Sequence, residues 1–149
     1  MAKRIPLIYE NVFSKSPEKS VAAALKPTDL GLDLLDEAGV NSVVGKSLYV
    51  GTKISVDAWM VWIDAGGGRN TSGMSGKVVN VWHKVGTGAY AKIGTITLGT
   101  WPAGSGNEGR LIYTLTQAGT HTFYAEFPGD SEYAGCKKAV LAFAKCPVC

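Results

Sequence analysis

The sequence predicts an all-β fold, an antiparallel β-sandwich of about seven short strands over residues 47–149. Two observations support this prediction. From residue 47 onward, apolar residues alternate with polar ones at a period of two, which is typical of half-buried strands. Glycine is frequent, with 19 residues in 149, and it clusters between the alternating segments, where turns are expected.

The alternation also predicts which side chains face the core. Ile54, Val56, Ala58, Met60 and Trp62 fall on one face of the first long strand. Strands are expected near 49–50 and at 54–62, 77–85, 90–98, 111–115, 119–127 and 137–145, with loops at 65–70 and 102–109.

The first 46 residues differ from the rest and are predicted to form an N-terminal arm. A Ser-Pro pair favours a short helix at 21–25, although a strand could equally begin at Val21. A second short helix is expected at 32–38, with Gly39 as its C-terminal stop. The predicted organisation is therefore an arm at 1–46, with one or two short helices or a strand, followed by the sandwich.

One segment resembles a known family. Residues 118–135 read Ala-Gly-Thr-His-Thr-Phe-Tyr-Ala-Glu-Phe-Pro-Gly-Asp-Ser-Glu-Tyr-Ala-Gly. This resembles the end of the bacterial and archaeal immunoglobulin-like (Big-type) repeat domains, and segments 50–56, 76–81 and 111–115 agree with the family at the level of pattern. The resemblance covers about two thirds of the chain. It implies an immunoglobulin-like topology and a domain that binds, spaces or displays other proteins.

Within the resembling segment, five residues are expected to have structural roles. Gly119 allows a sharp turn into a strand, and Phe123 points into the core. Gly129 and Asp130 form a turn in which the carboxylate can bond to its own backbone. Tyr133 is expected to fold back over the end of the sandwich.

His121 departs from the family pattern. Many members have a tyrosine there, whose hydroxyl makes a corner hydrogen bond to the backbone. A histidine can make a similar bond with one ring nitrogen, which favours a structural role, and a pH-sensing role is the alternative.

The sequence argues against catalysis and cofactors. Only two histidines occur, and no nucleophile elbow, phosphate loop or calcium loop is present. The net charge of +3 is too small and too scattered to predict nucleic-acid binding, and no apolar run is long enough for a membrane span. We therefore expect a non-enzymatic protein without a cofactor.

The three cysteines are the weak candidates for a metal site. Cys146 and Cys149 form a Cys-x-x-Cys pair, and Cys136 lies ten residues before it. Adding His83 or His121 would complete four ligands, but the spacing matches no zinc finger. The cysteines could instead form a disulfide within or between chains, or stay as unpaired thiols.

Aromatic residues are the predicted interaction residues. Trp59 and Trp82 have the opposite parity from their core-facing neighbours, which predicts an aromatic surface for a subunit contact or a sugar, or one covered by the arm or by a neighbouring copy. Trp101 in its loop, and Tyr9 and Phe13 in the arm, complete the set.

These features together predict a structural subunit. A single sandwich with an arm and no apparent leader fits a component that self-assembles or decorates a particle, above all a virion protein of the capsid, decoration or tail type, assembled in the cytoplasm. Its expected partners are copies of itself or other proteins of the particle. A prokaryotic cell-surface or extracellular filament module and a carbohydrate-binding β-sandwich are the competing interpretations.

Overall fold

The computed structural model describes residues 24–146, and within them the fold is all-β without a helix. Local alternation of apolar and polar residues explains why these segments form strands rather than helices. The strands are β1 (Thr28–Asp36), β2 (Ser47–Tyr49), β3 (Lys53–Ile63), β4 (Arg69–Asn70), β5 (Val78–Val85), β6 (Ala91–Thr97), β7 (Glu108–Thr114), β8 (Gly119–Phe127) and β9 (Cys136–Lys145).

The four-stranded sheet is built around β3. Strand β1 pairs antiparallel with one edge of β3 along its whole length. The other edge of β3 pairs with β7 and, beyond it, with the short strand β4. Because β3 is central, the outward side chains of β1 and β7 flank those of β3.

The five-stranded sheet has the order β2-β9-β8-β5-β6. Strand β2 pairs parallel with β9, and the other neighbours are antiparallel. The β5–β6 register shifts between Val81 and Trp82. Strands β2 and β6 are therefore the two edges of this sheet.

Both sheets contribute to one hydrophobic core. Ile54, Val56, Ala58 and Met60 are buried, and Trp62 packs against them as a partly buried side chain, as the alternation predicted. The second sheet supplies Val79, Val81, Phe123, Ala125 and Phe127, which are also buried. The outward side chains of each sheet consequently form two separate surfaces.

The helix predicted at 32–38 is wrong, because most of this segment belongs to β1. Leu30, Leu32 and Leu34 are buried, so the apolar period here is two, and pairing with β3 buries all three at once. Gly39 ends a turn after β1 rather than a helix.

Strand β7 also begins within the predicted loop 102–109, and β4 lies within the predicted loop 65–70. The element predicted from residue 21 falls largely outside the described residues.

Candidate functional site

The two outward-facing tryptophans of the strands lie on different sheets. Trp59 is on β3 and Trp82 is on β5, so the single aromatic surface expected from them is not formed. The parity assignment itself is right, since both residues point away from the core and are half-buried. Tyr9 and Phe13 of the predicted arm lie outside the described residues.

On the four-stranded sheet, the side chain of Trp59 lies against a glycine. Gly31 is the direct cross-strand partner of Trp59, and a methyl group at residue 31 would overlap the indole ring. Glycine at this position lets the ring lie flat on the sheet. Trp59 is thereby held in place by residues of its own sheet.

Trp101 and Arg110 form a bridge that we call the strap. The Arg110 guanidinium lies 4.4 Å from the centre of the Trp101 ring, and its Nη1 donates to the Glu37 carbonyl at 3.2 Å. A side chain at Gly39 would come within 2.5 Å of the Trp101 ring. Since β3 lies between β7 and β1, the strap crosses the outer surface of β3. We call this surface, with Trp59 and the strap, the strapped face.

Two polar side chains lie buried on the strapped face. Ser55 and Asp57 of β3 point outward, yet they are 0% and 4% exposed. Within the described part of the chain, Ser55 Oγ and Asp57 Oδ1 have no hydrogen-bond partner. A buried polar atom without a hydrogen-bond partner destabilises the folded state, so burial of Ser55 and Asp57 lowers the stability of the protein.

The environment of Asp57 favours its protonated form. Burial raises the pKa of Asp57 to about 8, and a hydrogen bond and charge repulsion from Glu108 act in the same direction, as does the charge of Asp33. Arg110 opposes these effects. Asp57 is therefore largely neutral at pH 7, as a carboxyl group beneath a cover is expected to be.

The outer surface of the five-stranded sheet is different. Trp82 and Tyr124 are cross-strand neighbours, and the Tyr90 ring lies 5.4 Å from that of Tyr124. Tyr49 and Phe143 extend this surface toward β2 and are 53% and 39% exposed. Aromatic rings thus run across the sheet, and among the described residues the Nε1 of Trp82 is itself buried without a hydrogen-bond partner.

Lysines accompany these rings. Lys84 lies 4.8 Å from the centre of the Tyr90 ring, Lys137 lies 5.8 Å from that of Tyr124, and Lys145 lies 5.1 Å from that of Tyr49. Each pair is a cation–π contact that holds a positive charge beside an aromatic ring. We call this surface, with its five aromatic residues and these lysines, the aromatic–lysine face. It is the candidate functional site.

A chain of hydrogen bonds lies in the core behind the aromatic–lysine face. His83 Nε2 and His121 Nδ1 are 2.8 Å apart, His121 Nε2 lies 2.7 Å from the Gln117 carbonyl, and Tyr113 Oη lies 3.3 Å from His83 Nδ1. The carbonyl can only accept, so His121 Nε2 donates to it. In a neutral His121 ring, Nδ1 then accepts from His83, whose Nδ1 accepts from Tyr113.

This arrangement gives both buried histidines a structural role. His121 bonds to a backbone carbonyl, which is the structural role that the sequence favoured for it. Burial, followed by the neighbouring His121, lowers the pKa of His83 to about 4. All ring nitrogens have internal partners, so neither ring presents a free nitrogen on the surface.

The remaining structural residues lie at the two turns around β8. Gly119 and Gly129 have φ angles of 130° and 90°, which favour glycine. Asp130 Oδ1 accepts from the Glu132 and Tyr133 amides, each at 2.8 Å, and Lys77 Nζ donates to Asp130 Oδ2 at 2.6 Å. Tyr133 is buried in the core, where its predicted fold-back would place it. These residues shape the turn rather than a surface.

The cysteines do not contribute to the aromatic–lysine face in the described part of the chain. Cys136 and Cys146 carry free thiols, and Cys136 packs against the core, with its Sγ 3.7 Å from Met60 Sδ. Cys149 lies outside the described residues. Between residues 24 and 146, no group of three or more His, Cys, Asp and Glu side chains is close enough to hold a metal ion.

The lysines of the aromatic–lysine face and the buried pair Ser55 and Asp57 were not predicted from the sequence. Lys84 has the same parity as Trp82 on β5, and Lys137 has the same parity as Phe143 on β9. That signal was available from the alternation alone. No local pattern indicates that a loop residue such as Trp101 crosses over β3.

Comparisons with family models, with characterised proteins and with solved structures find no match for this chain. The residues described contain no helix that is long and apolar enough to cross a membrane.

Proposed function

We propose that this chain folds as an immunoglobulin-like β-sandwich related to the Big-type repeat domains. The strand order supports this proposal, because β1, β3 and β7 form one layer while β9, β8 and β5 form the centre of the other. The corner bond of His121 and the Asp130 turn fall at the positions that the resemblance indicates.

We further propose that the protein is a non-enzymatic structural subunit that self-assembles or decorates a larger particle, a virion protein of the capsid, decoration or tail type. The aromatic–lysine face is the observation that carries this proposal. Exposed aromatic side chains on a flat sheet are a liability for an isolated domain and are enriched where proteins bind one another. The strapped face, by contrast, is already covered by residues of the chain itself.

The titratable groups favour binding over catalysis. His83 and His121 direct their ring nitrogens at internal partners, and Asp57 lies beneath the strap. A general acid or base has to reach the substrate within hydrogen-bond distance. None of these three side chains meets that requirement in this conformation.

Density-gradient sedimentation of material from the native source tests the proposed function. An antibody against the purified chain should detect it in a fast-sedimenting particle fraction, at a fixed ratio to the other proteins of that fraction. Recovery of the chain only at the top of the gradient would contradict the proposal.

Carbohydrate binding is the second candidate, favoured by the rings of Trp82, Tyr90 and Tyr124. Aromatic rings on an open sheet offer apolar faces to sugar rings. Binding to a glycan array that is lost in Tyr124→Ala and retained in Tyr113→Phe, a change in the core, would support it. An array without signal would remove it.

A further inference from the structure

The two outer faces carry opposite charge. The aromatic–lysine face has four lysines and one carboxylate, namely Lys84, Lys92, Lys137, Lys145 and Glu126. The strapped face and the turns of its sheet have seven acidic residues and three cations, namely Asp29, Asp33, Asp36, Glu37, Asp57, Asp64 and Glu108 with Lys53, Arg69 and Arg110. With Asp57 neutral, Asp29, Asp33 and Glu108 balance the three cations on the face itself, and the acidic excess on this side comes from Asp36, Glu37 and Asp64 in the turns at its rim.

We propose that the aromatic–lysine face docks a second copy of this chain through that copy's strapped face. This inference rests on the proposed function as an assembling subunit and names the partner surface. Complementary potentials steer such an encounter and fix its orientation. The same electrostatic argument disfavours the pairing of two aromatic–lysine faces, because their lysines would repel each other.

The apolar parts of the two faces also match. Trp59 and Trp101 are only half-buried on the strapped face. Tyr49, Tyr90 and Phe143 are the most exposed rings of the aromatic–lysine face. Aromatic contacts of this kind supply most of the binding free energy in interfaces, while charges at the rim govern specificity.

The size of the face is sufficient for a specific contact. Five strands spaced by about 4.8 Å, each about eight residues long at about 3.3 Å per residue, give a face of roughly 600 Å² in projection. A standard interface buries about 800 Å² of accessible surface on each partner, and side chains add area to a flat projection. The contact joins two different surfaces, so it is heterologous and can extend into a ring or a filament.

Charge-reversed variants test this inference in pairs. Variant A, Lys84→Glu with Lys137→Glu, disables the aromatic–lysine face. Variant B, Glu37→Lys with Glu108→Lys, disables the strapped face. Sedimentation velocity of the wild type should show association that rises with concentration up to about 1 mM and weakens with added salt. Each variant alone should associate at least about tenfold more weakly, because charged contacts are lost and replaced by repulsion.

Mixing the variants gives the decisive result. Variant A retains its strapped face, variant B retains its aromatic–lysine face, and the two reversed faces are again complementary in charge, so the mixture should recover the association that each variant loses alone. The matched control is Lys46→Glu with Lys138→Glu, which changes the same charge away from the face and should associate like the wild type. Circular dichroism checks folding, and Glu37→Lys alone replaces variant B if the double variant unfolds.

Three outcomes would overturn the inference: a wild type that stays monomeric at about 1 mM, association unaffected by variant A, or a mixture of A and B that does not associate. The proposed function would then still stand or fall on the density gradient, since a decorating protein can bind its particle without binding itself.

Discussion

The two outer faces of this molecule arise from the same alternating sequence pattern but differ in how far their outward side chains are covered. On the strapped face, Trp101 and Arg110 cross over β3 and leave Ser55 and Asp57 buried. On the aromatic–lysine face, Tyr49 and Phe143 remain exposed. The difference shows that loops decide which outward positions are covered. Among the described residues, it separates a covered face from a more open one.

Removing the strap should have the largest effect on stability. We expect Trp101→Ala to lower the free energy of unfolding by about 3 kcal/mol, because a partly buried aromatic side chain is lost and Asp57 is uncovered. Tyr90→Ala, which removes a ring from the aromatic–lysine face, should cost less than about 1 kcal/mol. Urea denaturation measures both, and equal losses would remove the distinction between the faces.

The buried carboxyl group should make the strapped face sensitive to alkaline pH. The pKa of Asp57 is raised to about 8, so between pH 4 and 8 the folded state keeps a proton that the unfolded state releases, and stability falls as pH rises. Asp57→Asn should therefore stabilise the protein at pH 8, by a gain that grows as the pH rises from 4 to 8. The advantage should disappear near pH 4, and a gain of the same size at both pH values would count against this explanation.

The close contact between Gly31 and Trp59 should tolerate no side chain. Gly31→Ala is expected to cost about 2 kcal/mol, because the added methyl group overlaps the indole ring and the ring has to move. Gly106→Ala is the matched control, since a side chain there meets no neighbour within 4 Å. Thermal unfolding of both variants compares them, and similar melting temperatures would mean that Trp59 is not held against the sheet.

Substitution on the aromatic–lysine face should have the smallest effect on stability. We expect Phe143→Ser to change the free energy of unfolding by less than about 0.5 kcal/mol, as is usual for an exposed position. The same variant should weaken self-association, because it removes an apolar contact. A large loss of stability would instead assign Phe143 to the fold of the single chain.

Much of this account was predictable from the sequence, and the failures have physical causes. Period-two alternation located β3, β5, β8 and β9 to within a residue or two and identified their core-facing side chains. The segment at 32–38 was assigned to a helix because a short leucine-rich run fits both periods. Pairing with β3 decides in favour of the strand, and that partner is distant in sequence.

The candidate site was less predictable than the fold. Trp59, Trp82 and Trp101 were singled out together, but their positions on two faces depend on which sheet each strand joins. The pKa of Asp57 depends on a cover formed by residues more than forty positions away. Sequence alternation alone contains neither type of long-range information.

Backbone amide NMR spectra recorded during dilution from about 1 mM to about 20 µM test the central claim most directly. If the aromatic–lysine face is the contact surface, the shifts that change with concentration will lie on its strands around Lys84, Tyr124 and Phe143, and around Glu37 and Trp101 on the strapped face. Changes confined to the exposed edges of β1 or β6, or no changes at all, would contradict it.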